Sequence, residues 1–306
     1  MFRGGWAGEQ GLERTVVSES VPSRVCEDIL DNLEKGLVMK NYGFLLLLCM
    51  LMLLSACKKD DSPLVPSTTV PTLLLQGSSY SANTKVSIFT SDSLRQGYNP
   101  LYIQFTDSAS GSMLETVNTT VTPMMYMTTM THACPVEQCG SMIAVNNFFP
   151  CAVVFSMPTS LPDHWMVKIA FSDTIHHVTG MAEVPVTVVA SSMVKSFIGT
   201  DSAKYLVTMK KMDTPKVGMN DCEFLVHKRQ DMMNFPCVED LTIEMTPDMP
   251  SMGHGSPNNE NPTHISAGHY KGRVNFTMTG EWRITLVLKR GNAPIHTSAI
   301  EFWVTL

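Results

Sequence analysis

The chain has 306 residues and a formal net charge of −6. This acidic balance, without any offsetting basic run, argues against a nucleic-acid partner. Charged residues make up only 16% of the chain, while Thr, Ser and Val are abundant, a composition that favours strands; no catalytic motif of the serine-hydrolase, zinc-protease or phosphate-loop type is present, so we expect no enzyme.

The first predicted element is an export signal. Met39 and Lys40 precede an apolar run over residues 44–54, and small residues lead up to Cys57. This order is typical of a secretory signal, and the run is too short to span a bilayer comfortably. The sequence Leu-Ser-Ala-Cys resembles a lipobox, whose cysteine is acylated. We therefore predict a lipid anchor on Cys57 and a place in the cell envelope, at the periplasmic or cell-surface face of the outer membrane.

The segments around this signal carry no predicted fold. Residues 1–38 are charged and lack strand alternation, and we interpret them as a non-native upstream extension, with the signal peptide at 39–57. Residues 58–80 begin with two lysines and two aspartates and continue into a stretch rich in Pro, Ser and Thr. This composition predicts a flexible tether between the anchor and the folded part.

The remainder of the chain contains short runs in which apolar residues alternate with polar ones. The clearest runs are Leu101, Ile103 and Phe105; Trp165, Val167, Ile169 and Phe171; Cys222, Phe224 and Val226; and Trp282, Ile284, Leu286 and Leu288. Period two, with Gly, Pro, Asn and Asp between the runs, predicts antiparallel strands with one buried face. We therefore expect an all-β protein.

These runs recur in the same order at nearly constant spacing, which indicates an internal duplication. Ile103 and Phe105 correspond to Phe224 and Val226 at an offset of 121, and Trp165 corresponds to Trp282. The prediction is two tandem immunoglobulin-like antiparallel β-sandwiches, at residues 81–192 and 193–306.

Each predicted sandwich contains a methionine-rich loop that ends in a histidine. The candidate ligands are Met127, Met130 and His132 in the first loop, and Met249, Met252 and His254 in the second. These methionines lie among turn-forming residues, and thioether sulfur with imidazole suits copper, above all Cu(I). The alternative is that the methionines fill the end of the core while the histidine bonds the backbone. His269 is a further candidate ligand, and zinc held by His254, His264 and His269 is a less favoured option.

The second half resembles the YtkA-like (FixH/YtkA-related) family. The resemblance lies in residues 249–254 (Met-Pro-Ser-Met-Gly-His), 268–272 (Gly-His-Tyr-Lys-Gly) and 276–282 (Phe-Thr-Met-Thr-Gly-Glu-Trp). It implies an immunoglobulin-like sandwich in a secreted or membrane-attached bacterial protein, with a role near copper and cytochrome oxidase assembly. The first half resembles the family more loosely, because it lacks the Gly before its histidine and the Tyr-Lys-Gly stretch.

Five cysteines follow Cys57, and an odd number cannot all pair. Outside the cytoplasm we expect a bridge between Cys222 and Cys237, and another between two of Cys134, Cys139 and Cys151. The sequence does not decide which two.

Together these features predict a membrane-anchored extracytoplasmic binding protein. The preferred hypothesis is that it captures or hands over copper through the Met/His loops, with a copper donor or acceptor protein as partner. The alternative is a structural or adhesive surface lipoprotein whose duplicated sandwiches bind a protein partner and no metal.

Overall fold

The computed structural model describes residues 72–306, and all regular secondary structure in this part is β-strand. The predicted extension at 1–38, the signal segment with Cys57 and most of the tether lie outside the described residues. Within residues 72–306 no helix has the length and hydropathy that crossing a membrane requires. The predicted all-β fold is confirmed: antiparallel sheets form two sandwiches in tandem, as expected for immunoglobulin-like domains.

The first sandwich consists of a five-stranded and a four-stranded sheet, in the orders β1-β2-β3-β7-β6 and β5-β4-β8-β9. The strands are β1 (Leu74–Ser81), β2 (Thr84–Thr90), β3 (Gly97–Asp107), β4 (Asn118–Tyr126), β5 (Thr131–Ala133), β6 (Val136–Glu137), β7 (Phe149–Phe155), β8 (His164–Asp173) and β9 (Val178–Val186).

The second sandwich consists of two five-stranded sheets. One has the order β10-β11-β12-β16-β15, and the other has the order β14-β13-β17-β18 with β19 also paired to β17. The strands are β10 (Val194–Ile198), β11 (Lys204–Met209), β12 (Gly218–Arg229), β13 (Thr242–Met249), β14 (His254–Gly255), β15 (Glu260–Ser266), β16 (His269–Phe276), β17 (Glu281–Arg290), β18 (Ala293–Pro294) and β19 (Ile300–Thr305). The strand order of its first sheet therefore matches that of the first sandwich.

Each sandwich has its own apolar core, built from the alternating runs. All members of the four runs are buried, with Trp165 in one core and Trp282 in the other. Strand β1 begins at Leu74, inside the stretch assigned to the tether. Its residues alternate weakly, and it has a bulge between Leu75 and Gly77, so period two did not reveal it.

A third apolar cluster joins the two sandwiches. Val154 of β7, Val194 of β10, Leu206 of β11 and Leu225 of β12 are buried together, with Tyr98 and Phe235 packed against them. These side chains lie on strands whose opposite faces already supply the separate cores. The two sandwiches therefore pack on each other through the outer faces of two sheets.

Candidate functional site

The second Met/His loop is a tight hairpin whose two methionines have opposite environments. Met249 ends β13 and pairs with His254 of β14. Its side chain is only 2% exposed and belongs to the core, whereas Met252 is 60% exposed. A Cβ at Gly280 would lie 3.0 Å from the Met249 methyl, so the thioether is tightly enclosed. The prediction that Met249 is a surface ligand beside Met252 is wrong, because the alternation of β13 turns Met249 inward.

The histidine of each loop packs on the core tryptophan. His254 meets Trp282 edge-on with 5.7 Å between ring centroids, and His132 meets Trp165 in the same way at 5.8 Å. In both rings Nδ1 lies within hydrogen-bond distance of the backbone carbonyl of the following residue: that of Gly255 at 3.0 Å for His254 and that of Ala133 at 2.7 Å for His132. Since a carbonyl only accepts, Nδ1 is the donor, and Nε2 keeps its lone pair in the neutral ring.

Pairing also corrects the match between the two loops. Met125 pairs with His132, as Met249 pairs with His254, so Met125 rather than Met127 is the counterpart of Met249. Met125 is likewise buried in its core. The first loop is two residues longer and turns at Met127, whose backbone N–H donates to the carbonyl of Met130. The longer turn leaves Met127 and Met130 outside the core interior.

Met127, which is partly buried against the first core, and the exposed Met130 line a cavity of about 160 Å³ at the junction of the sandwiches. Its wall includes Met127, Met130, His132 and Met157 of the first sandwich and Met232 of the second. We call this cavity the methionine pocket. The three predicted ligands of the first loop all line it.

Met232 reaches the pocket through a turn that crosses between the sandwiches. The Ala133 N–H donates to the Met232 carbonyl at 2.8 Å. The turn is held by Asp231, whose Oδ1 accepts the N–H groups of Met233 and Asn234. Met232 and Met157 were not among the predicted ligands, although Met232 lies among Asp231, Asn234 and Pro236, turn-forming residues like those of the two Met/His loops.

Two basic side chains, Lys204 and Arg229, also line the pocket. Arg229 donates from Nη1 to the Met232 sulfur at 3.8 Å, and neither base forms an ion pair within residues 72–306. A unit charge 4 Å away repels a monovalent cation by about 4 kcal/mol at an effective dielectric of ~20, and a divalent cation by twice as much. The charge around the pocket therefore disfavours Cu(II) more than Cu(I).

His269 lies elsewhere and is not available as a ligand. Its Nδ1 bonds Glu223 and its Nε2 bonds Glu137 of the first sandwich, both at 2.5 Å. The Glu137 carboxylate, followed by that of Glu223, raises the pKa of His269 despite partial burial. With both ring nitrogens engaged, the predicted role of His269 in a metal site with His254 is wrong. We call this Glu137–His269–Glu223 arrangement the histidine bridge.

The cysteine pairing predicted for the second sandwich does not fit the structure. Cys222 is buried, with its thiol 3.6 Å from the Met245 sulfur. Cys237 is exposed and forms a β-bridge with His227, five residues along β12 from Cys222. Five strand residues span roughly 16 Å, whereas a disulfide needs Cα atoms within about 7 Å. The Cys222–Cys237 bridge is therefore wrong.

No group of three or more His, Cys, Asp or Glu residues that could hold a metal ion occurs in the part of the chain that the structure describes. Thioether sulfur is not among these groups, and the methionine pocket is lined by four methionines and one imidazole.

Comparison with known proteins gives one family relation. No curated protein matches the chain. Among solved structures, domains 5–6 of the S-layer protein SbsC align at 14% identity over 76% of this chain and 98% of that one, with a TM-score of 0.27. The model of the family described as YtkA-like matches residues 200–287, which lie in the second sandwich.

Proposed function

We propose that the protein is a membrane-anchored extracytoplasmic carrier that captures or hands over copper, bound as Cu(I) in the methionine pocket. The observation that supports this most is the joint placement of Met127, Met130, His132, Met157 and Met232 around one cavity. Thioethers and a neutral imidazole are soft or borderline donors that suit Cu(I). The YtkA-like match in the second sandwich agrees with the family that the sequence resembles.

The pocket's geometry suits capture followed by transfer. Met130 is half exposed at the rim, while His132 is buried and held by its bond to the Ala133 carbonyl. A metal could then enter or leave by exchange at the exposed thioether while the imidazole keeps its position. Lys204 and Arg229 weaken retention of a cation, which favours transfer over permanent storage.

Titration of the full chain with Cu(I) against a chromophoric competing chelator tests this proposal. Met127→Leu combined with Met232→Leu removes two sulfurs with little change in volume. We expect this variant to lose one equivalent of Cu(I) or to bind it at least tenfold more weakly. Met249→Leu combined with Met252→Leu is the matched control and should bind as the native chain does. Equal binding by all three proteins would rule out the pocket.

The anchor is a separate part of the proposal and has a separate test. Cells that express the chain are labelled with a radioactive fatty acid, and the label and the membrane fraction are followed. We expect the native chain to take up label and sediment with membranes, and Cys57→Ser to do neither. Labelling that survives Cys57→Ser would contradict an anchor at this residue.

A second candidate, a structural or adhesive surface protein, is favoured by a different observation. Met125 and Met249 are buried in separate cores, and the sandwiches are joined by their own apolar cluster. Such a rigid pair could act as a spacer or present a surface to a protein partner. The Cu(I) titration separates the two candidates, because a scaffold would bind no stoichiometric copper.

A further inference from the structure

Two cysteines of the first sandwich lie side by side at a sheet edge. In the antiparallel pair β6–β7, Val136 faces Val153 and Glu137 faces Ala152. Two residues further on, the Cys139 thiol is 3.9 Å from the carbonyl oxygen of Phe149, which precedes Cys151 by two positions on the same face. Both cysteines pack against the same core.

The third cysteine of this sandwich is placed apart from them. Cys134 is fully buried, and the Val154 N–H donates to the carbonyl of its neighbour Pro135. Cys134 therefore lies beside the end of β7, about four residues from Cys151. Four strand residues span roughly 13 Å, beyond the reach of a disulfide. Of the three pairings left open by the sequence, the fold favours Cys139 with Cys151.

We propose that Cys139 and Cys151 are a redox pair that forms a disulfide by exchange with the disulfide of a small molecule or a thiol oxidase. The Cys139 thiolate attacks one sulfur of the incoming disulfide, which gives a mixed disulfide and releases one thiolate. The Cys151 thiolate then attacks the Cys139 sulfur and releases the second. The two protons lost by the cysteines end on the two released thiols, so the chain is oxidised by two electrons and its partner is reduced by two.

The environments of the two thiols assign these roles. Cys139 is partly exposed, and interaction with the Cys151 thiol lowers its pKa. Cys151 is buried, and its pKa is raised well above the usual range by Cys139 and by burial. The more accessible and more acidic thiol is the better first nucleophile at neutral pH. Cys151 is then the resolving thiol.

A disulfide here would fix the C-terminal end of a segment that contributes residues to two other sites. Residues 132–139 contain His132 of the methionine pocket, Glu137 of the histidine bridge and Cys139. Strand β6 has only two residues, so few backbone bonds hold this segment to β7. The disulfide would add a covalent link where the ladder is shortest. The inference does not depend on copper binding.

The purified full chain, reduced and freed of reductant, is incubated with oxidised glutathione and then mapped by alkylation and mass spectrometry in denaturant. We expect a Cys139–Cys151 linkage in the native chain and a raised unfolding midpoint. Cys151→Ser should instead accumulate glutathione on Cys139, while Cys139→Ser should leave Cys151 largely unmodified. Exposed Cys237 is the internal control and should remain a mixed disulfide with glutathione.

The outcomes that overturn the proposal are equally specific. They are both thiols remaining free while Cys237 is modified, a bridge from either cysteine to Cys134, or glutathione on Cys151 in preference to Cys139. Cys222→Ser replaces a buried cysteine in the other sandwich, so it controls for the cost of placing a hydroxyl in a core, and it should leave the linkage intact. Because no copper is added, failure here would leave the copper proposal standing.

Discussion

At the residue scale, the two methionines of the second hairpin show what local composition can and cannot predict. Proline, glycine and serine around Met252 correctly indicate an exposed side chain. Met249 has similar neighbours but is the last residue of an alternating strand in which Ile243, Met245 and Pro247 are also buried. Strand parity therefore outweighs turn context at this position, and it could have been applied to the sequence.

This difference predicts unequal costs of truncation. Met249→Ala removes a buried thioether and leaves a cavity beside Trp282, so we expect a loss of about 2–5 kcal/mol in the free energy of unfolding. Met252→Ala should change it by no more than about 0.5 kcal/mol. Urea unfolding of the two variants measures both values. Similar small effects would mean that Met249 is not part of the core.

His227 predicts a stability change on acidification. Burial lowers its pKa to about 4, with Glu137 opposing and His269 reinforcing the shift, and its Nδ1 has no hydrogen-bond partner among the described residues. Between pH 6.5 and about 4 the unfolded chain binds a proton here and the folded chain does not. Stability should therefore fall as the pH falls through this window, by roughly 3 kcal/mol in full.

Unfolding measured from pH 7 to pH 4 tests this expectation. His227→Leu should reduce the slope of the free energy of unfolding against pH by the amount expected for one proton, about 1.4 kcal/mol per pH unit. His177→Asn, in an exposed turn whose positive φ suits Asn, is the matched control and should keep the decline. If the decline in His227→Leu were as steep as in the native chain, the pKa of His227 would not be lowered in the folded state.

At the element scale, the long strands were predictable and the short ones were not. Period two marks β3, β8, β12 and β17, because each has one face in a core. Strands β5 and β6 have three and two residues, too few for a period to show, and they form only because β4 and β7 offer free edges. The histidine bridge therefore could not be predicted, since Glu137 is placed by β6.

The histidine bridge should contribute stability with its own pH window. The pKa of His269 is raised, so its contribution is complete below about pH 6.5 and is lost as the pH rises through the folded value. The pKa of Glu137 is lowered: burial opposes ionisation, but the bonds from His269 and Tyr98 outweigh it. The contribution is therefore also lost as the pH falls below about 4.5 and these carboxylates are protonated.

His269→Gln should consequently destabilise the chain most between about pH 5 and 6, by about 2 kcal/mol, as for hydrogen bonds to charged groups. The deficit relative to the native chain should shrink towards higher pH. Glu137→Gln and the double variant complete a thermodynamic cycle, and we expect strong coupling between the two positions. Additive effects would mean that the bridge does not form.

At the scale of the whole molecule, the sequence predicted two sandwiches but not their association. The alternating pattern was used to find one buried face, yet Val153-Val154, Leu206-Val207 and Leu225-Val226 are apolar on both faces of their strands. A strand with two apolar faces packs on both sides. These doublets were the available signal for an interface, and the methionine pocket exists because of that interface.

A chain joined in this way should unfold as one unit. Leu225 is fully buried in the cluster between the sandwiches, and Leu225→Glu would place an unpaired charge there, at a cost that favours separation of the sandwiches. By calorimetry we expect one transition for the native chain and two for this variant, with Ile198→Glu, at an exposed position of β10, behaving as native.

Because Met232 reaches the pocket from the second sandwich, Leu225→Glu should also lose Cu(I) binding although no ligand is changed. Two transitions in the native chain would show that the sandwiches are independent, and a pocket shared between them would then have no fixed geometry.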